Sequence, residues 1–164
     1  MRTDALLSVL LEFHRDKLAL RQRHVAVARH VFGYDANNTY QYVINREDVH
    51  LQWLEAAIAE LEGTPEHVAE PPVPRLVRNE KFAGLTVKDA EDLAAFVAKW
   101  RPRLDDVTHA RHRSLMNVII GEMLEQKRSF DQVAEGREDV LGRRANGPGS
   151  PGTGNGVLGV RWIE

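Results

Sequence analysis

The sequence predicts an all-α protein, a four-helix bundle, on three observations. Residues 37–62 carry an apolar stripe at helical spacing, Tyr40, Ile44, Leu51, Leu54, Ile58 and Leu61, whose steps are those of one helix face. A comparable region precedes it and two more follow, each bounded by Gly or Pro. Between them, from Pro71 to Leu85, the composition turns proline-rich and the period is lost. Such a stretch is a long connection rather than a helix.

The first helix is expected from about Thr3 to Phe32. Leu6, Leu10, Phe13, Leu20, Val27 and Val31 share one stripe with Lys17 and His24, and Leu7, Leu11, Leu18, Val25 and Phe32 widen it. Gly33 stops it, and Asp35, Asn37 and Asn38 supply N-cap chemistry for the second helix. A turn this short makes the two helices antiparallel neighbours. The second helix ends at Gly63, with one further turn expected at Thr64, Pro65 and Glu66.

The following connection is long enough to run the length of a bundle, at about 3.3 Å for each extended residue. Thr86 to Asp89 resembles a capping arrangement that opens the third helix, which turns Leu93, Phe96, Val97 and Trp100 inward. Pro102 breaks it. The fourth helix is expected from about Arg103 to Ala134, with a stripe of His112, Met116, Ile119, Met123, Gln126, Phe130 and Val133. The domain is expected over 1–141. Residues 142–164 form a Gly- and Pro-rich, flexible tail that ends in the apolar segment 157–164, VLGVRWIE. That segment is either an end that docks back on the bundle or a docking peptide for another protein.

Composition narrows the function. The formal net charge is -2, from 22 basic and 24 acidic residues, so no nucleic-acid partner is expected. The chain has no Cys, which removes disulfides, thiolate zinc sites and iron–sulfur clusters. The run Leu6–Leu11 is too short and too polar at its flanks to span a membrane, so the expected location is the cytoplasm. No phosphate-binding glycine loop or nucleophile elbow appears.

Polar residues on the inner stripes are the candidate site. Glu47 falls on the apolar stripe of the second helix and His50 lies one turn on. A carboxylate at such a position needs a partner, either a metal ion or an Arg or Tyr of a neighbouring helix. Counting from the turn near Asp35 puts His24 level with Glu47, whereas Glu12 lies about twice as far off. With the second and third helices parallel, Asp89 to Asp92 fall at that level, which makes Glu91 or Asp92 a candidate carboxylate. On the fourth helix Glu122 is level with Glu47, and His112 and Gln126 are inner-face polar groups. Without metal, replacing Glu47 by its neutral isostere is expected to cost little.

The segment EDVHLQWLEAAIAELEG (47–63) resembles the second helix of the ferritin-like superfamily, with a rubrerythrin-like arrangement. The resemblance extends as architecture over about residues 3–137, including the long crossover between helices 2 and 3. It implies a metal-binding protein with a redox or iron-handling role, an oxidase or peroxidase type of chemistry, and iron as the metal, with manganese or zinc as alternatives. Metal ligation would fall on Glu47, His50 and His24, with Glu122, Glu91 and His112 as further candidates. The chain departs from the family in lacking a second Glu-x-x-His on the fourth helix and in carrying His24 where many relatives have Glu. The alternative is a metal-free helical interaction module whose tail docks a protein partner or shell. A homo-oligomer, with a dimer as the simplest case, is expected for either.

Overall fold

The computed structural model describes residues 3–73 and 82–142. Among them the chain is all-helical, with four helices: α1 (Thr3–Ala28), α2 (Tyr34–Ala59), α3 (Ala83–Trp100) and α4 (Ala110–Ala134). A 3₁₀ turn, Pro102–Asp106, stands between α3 and α4. No helix among the described residues is long and apolar enough to cross a membrane. The tail from 143 onward lies outside them, as does 74–81.

The stripes become the core. Leu10, Phe13, Tyr40, Leu54, Ile58, Leu93, Trp100, Met116, Ile119, Met123 and Phe130 are all fully buried. Each large apolar side chain so placed contributes about 1.5–3 kcal/mol relative to exposure. Phe13 joins α1 to α3, lying edge-on to Phe96 (5.0 Å) and Trp100 (4.9 Å).

Paired residues give the helix directions. His24 meets Glu47 while His14 meets Glu55, so α1 and α2 run antiparallel. Arg23 meets Asp89 while Asp16 meets Lys99, so α1 and α3 also oppose each other. Tyr40 stacks near Phe130 while Glu60 binds Arg111, which sets α4 antiparallel to α2. After α2 the backbone follows α1. Gly63 sits against Leu7, the Gln22 side-chain amide donates to the Val68 carbonyl (2.8 Å), and Arg29 binds Glu70 (2.7 Å).

Several boundaries differ from the sequence expectation. α1 stops at Ala28, four residues early, and Phe32 is 86% exposed instead of buried. Gly33 occupies the N-cap of α2 with no side-chain hydrogen bond. Asn37 turns back to donate to the carbonyls of Ala28 and Val31, so it serves the end of α1. Residues 64–66 form no further turn. α3 starts at Ala83, leaving Thr86 inside its first turn, where its hydroxyl donates to Phe82 O. α4 starts at Ala110 because Pro102 opens a 3₁₀ turn and Val107 is extended.

Helices α2 and α4 end in the same device. At the end of α4, Arg137 N–H reaches the Gln132 carbonyl and Gly136 N–H that of Val133, with Gly136 at φ 84°. At the end of α2, Gly63 N–H reaches Ile58 O and Glu62 N–H reaches Ala59 O. These are two Schellman motifs. The second puts Glu62 at φ 60°, a left-handed conformation that costs an L residue about 1 kcal/mol or more. Gly63 is needed for a different reason: a Cβ there would collide with Leu7 and lie 2.8 Å from Ile58 Cγ2. Glu62→Gly is therefore expected to raise unfolding free energy by about 1 kcal/mol, and Gly63→Ala to lower it by about 1–3 kcal/mol. Urea denaturation of both variants measures the two signs together.

Candidate functional site

The inner polar residues form a layered cluster across the middle of the bundle. Glu47 is wholly buried, and its two oxygens go to two residues of α1. Lys17 Nζ donates to Oε1, and His24 Nδ1 donates to Oε2 at 2.8 Å. All three side chains are at 0% exposure. Seven residues separate Lys17 from His24, two helical turns, so both reach one carboxylate from the same face of α1.

Outside this trio lies a second carboxylate. Glu122 of α4 takes Arg46 in a bidentate pair (2.6–2.9 Å) and accepts from His50 Nε2 at 2.8 Å. His50 is itself buried, covered by Trp53 (ring centroids 5.7 Å), and the Arg46 guanidinium lies 5.9 Å from that indole. A third carboxylate, Asp89 of α3, receives Tyr40 OH and Arg23 Nε (2.6 Å). Each of these three carboxylates thus meets a cation, Lys17, Arg46 or Arg23, and Arg23 is shared with Asp92 of α3 at 3.3 Å.

The titration shifts follow from this arrangement. Burial pushes the Glu47 carboxyl up, but His24 and Lys17 together outweigh it and hold it down at about 2. Burial lowers Lys17 from its ordinary value, and Glu47 opposes that by charge and hydrogen bond. Burial and the Lys17 charge lower His50, against the pull of Glu122. For Glu122 burial acts upward, and the Arg46 and His50 hydrogen bonds prevail, so it stays low. Asp89 is raised by desolvation despite its partners. Tyr40 is raised well above its ordinary value by burial and by Asp89, so it acts as a fixed hydroxyl donor.

The sequence candidates are placed as follows. Glu47, His24, His50 and Glu122 belong to this cluster, with the level of His24 and Glu47 as counted. Glu91 lies on the exposed face of α3, and the carboxylate that α3 turns inward is Asp89. Glu12 binds Arg103 and Lys99 at the surface, away from Glu47. His112 is buried but ten residues before Glu122, about 15 Å along α4, where its Nδ1 meets His109 Nδ1 at 2.8 Å. Lys17, Arg23, Arg46 and Tyr40 complete the cluster. The signal for Lys17 was its place on the inner stripe of α1.

Does this donor set suit a metal ion? Two features point each way. His24 and His50 each give one nitrogen to a carboxylate, and His24 Nε2 and His50 Nδ1 are buried with no protein partner. A carboxylate-held imidazole with a free second nitrogen is how many metal-ligating histidines are oriented. Both carboxylates, however, are already engaged by cations, and no group of three or more His, Asp or Glu side chains is gathered for a metal among the described residues. As arranged, the residues do not fit a divalent ion.

Two outcomes test the cluster. Lys17→Met leaves Glu47 without its cation and Glu47→Gln leaves Lys17 buried without its anion. Each is expected to cost about 3–5 kcal/mol, while Lys17→Met with Glu47→Leu recovers most of it. The sequence expectation that Glu47→Gln costs little is thereby revised, because the partner is a buried ammonium. A double-mutant cycle by denaturant unfolding reads the coupling.

Acid sensitivity is the second. A carboxyl depressed in the folded state stabilises the fold above its unfolded value and loses that contribution as pH falls through the folded one. For Glu47 the window runs from 4.5 down to about 2, a loss on the order of 3 kcal/mol. Glu12, also held at about 2 by Arg103 and Lys99, titrates in the same window at the surface. Unfolding free energy measured against pH is expected to fall across that window, with a shallower slope in Lys17→Met with Glu47→Leu. Comparison of the chain with protein-family models, with curated proteins and with solved structures gives no match.

Proposed function

We propose that this chain is a ferritin-like bundle that works by association with another protein rather than by metal chemistry. The observation that carries the reading is the Lys17 ammonium on Glu47. In a ferritin-like site the inner carboxylate of the second helix faces a metal ion, and here a side-chain cation takes that place. The path of residues 63–70 along α1, with α2 and α3 parallel, supports the long crossover of such bundles. Neutralised in pairs, the core supports the fold. The partner is met by the outside of the bundle and by the apolar segment 157–164.

The second reading is a ferritin-like metal protein holding iron, or manganese or zinc, on Glu47, His50, His24 and Glu122. His24 Nε2 and His50 Nδ1 favour it. It requires Lys17 to leave Glu47.

Metal content separates the readings. Full-length, tag-free chain is loaded anaerobically with ferrous iron, freed of excess, and measured for metal per chain by mass spectrometry. The expected result is no stoichiometric metal in the natural chain. One or two ions per chain, lost when Glu47→Ala and His50→Ala are combined, overturns the proposal and establishes the second reading.

A further inference from the structure

A shallow groove of about 320 Å³ runs along the outside of the bundle between α3 and α4. Its floor and walls are Ala94, Val97, Ala98, Pro102 and Leu124, almost wholly apolar, with two cations on its rim, Arg101 and Lys127, the latter already paired with Asp131. The groove exists because α3 places alanines at 94 and 98, one turn apart, where larger side chains would cover Val97. Leu124 is 36% exposed beside it. Arg101 makes no ion pair among the described residues, unlike Arg103 two positions on, which holds Glu12.

We infer that the groove is the seat of this chain's own residues 157–164, bound in cis. Pattern, charge and reach support that occupant. In an extended strand alternate residues share a face. Leu158, Val160, Trp162 and Glu164 then form one face, three apolar side chains followed by an acid. The opposite face carries Val157, Gly159, Arg161 and Ile163, with its cation turned away from the groove. With the carboxylate of Glu164 on Arg101, Trp162 and Val160 fall over the alanine-lined floor, which spans about 10 Å from Ala94 to Arg101, and Leu158 lies past its Ala94 end. A buried indole brings the largest apolar area of any side chain here.

Reach is sufficient. Leu141 lies beside Asp35 and Asn38 at the start of α2, so the chain leaves the bundle at that end. From the end of α4 back to Leu124 is ten residues, about 15 Å. Residues 143–157, rich in Gly and Pro, span about 20 Å on average at that composition. A tether of that length puts the segment at an effective concentration on the order of millimolar, which favours the chain's own groove over that of a second copy. This inference rests on the reading of 157–164 as a docking segment and adds where it docks before any partner takes it.

The experiment is methyl NMR on the full-length chain, labelled at Ala, Val and Leu, compared with full-length Trp162→Ala and Ala98→Glu. Ala98 is exposed, so Ala98→Glu places a carboxylate in the groove against Glu164 without disturbing the core. The expected result is a ring-current shift of the Ala94, Ala98 and Leu124 methyls in the natural chain, unchanged by dilution and lost in Trp162→Ala. Ala98→Glu is expected to abolish the Leu124 shift and leave Leu10 and Leu54 where they are. Adding a peptide of residues 157–164 to the Trp162→Ala chain restores the shifts in a saturable way.

Identical groove methyls in the natural chain and Trp162→Ala overturn the inference. So does a Leu124 shift that survives Ala98→Glu, which puts the segment elsewhere. Shifts that fade on dilution assign the groove to a second copy and overturn it too. Iron retention would overturn the association reading without moving these methyls, and unshifted methyls would overturn the docking without adding metal.

Discussion

Everything in the middle of this bundle is arranged around one buried ion pair, Lys17 with Glu47. Taking both charges out of water costs several kcal/mol for each, and only close contact with further hydrogen bonds offsets it. Here the second oxygen of Glu47 goes to His24, so the carboxylate is filled from α1 alone. That fixes the register of α1 against α2, because a shift of one residue would leave a bare charge among apolar side chains. Two related pairs extend the constraint. Arg46 with Glu122 ties α2 to α4, and Arg23 with Asp89 and Tyr40 ties α1 and α2 to α3. The apolar stripes determine that the helices associate; the charge pairs determine at what height.

Such pairs are weak sources of net stability, since apolar residues of the same volume often do as well or better. Their contribution is specificity. Leu, Ile and Val can slide past one another by a turn at modest cost, whereas a buried ammonium has one position where it is satisfied. Partly satisfied atoms remain nearby. Gln126 is 3% exposed, its amide has no protein partner, and it lies one turn from Glu122 on α4 and one turn from Phe130, which touches His24. The polar layer is therefore a place of residual cost inside an otherwise apolar core, a common feature of positions where a fold carries more than packing.

The parts of this fold legible in the sequence were those governed by periodicity. Seven of seven inner positions named on α4, from His112 to Val133, are buried, and His24 meets Glu47 because helix rise is regular enough to count across a hairpin. Boundaries were less legible, since they depend on local competition. Asn37 reads as an N-cap residue but has the last carbonyl of α1, at Ala28, and that of Val31 in the following turn within reach, and it donates to those. The partner of Glu47 was the hardest part. The stripe showed Lys17 facing inward, yet nothing in a one-dimensional pattern tells whether a carboxylate at that height meets an ammonium or an ion. Asp89 was passed over in favour of Glu91 or Asp92 for a similar reason: three acidic α3 residues share a level, and which one points inward depends on helix rotation.

That last ambiguity bears directly on function. A divalent ion held by carboxylates needs their charge to balance its own, and in this cluster each carboxylate has already been balanced. Lys17, Arg46 and Arg23 bring three positive charges to Glu47, Glu122 and Asp89. Adding an ion would leave the layer with two surplus positive charges in a low-dielectric interior, unless Lys17 gave up its proton. Burial does lower Lys17, but Glu47 acts against that release, and the carboxylate is held down by the same contact. The two groups stabilise each other's charged forms, so the pair resists replacement by an ion more strongly than either group alone would. On the outside of the bundle lie the exposed aromatic rings of Phe32, Tyr34, Tyr42 and Trp53 and the α3–α4 groove.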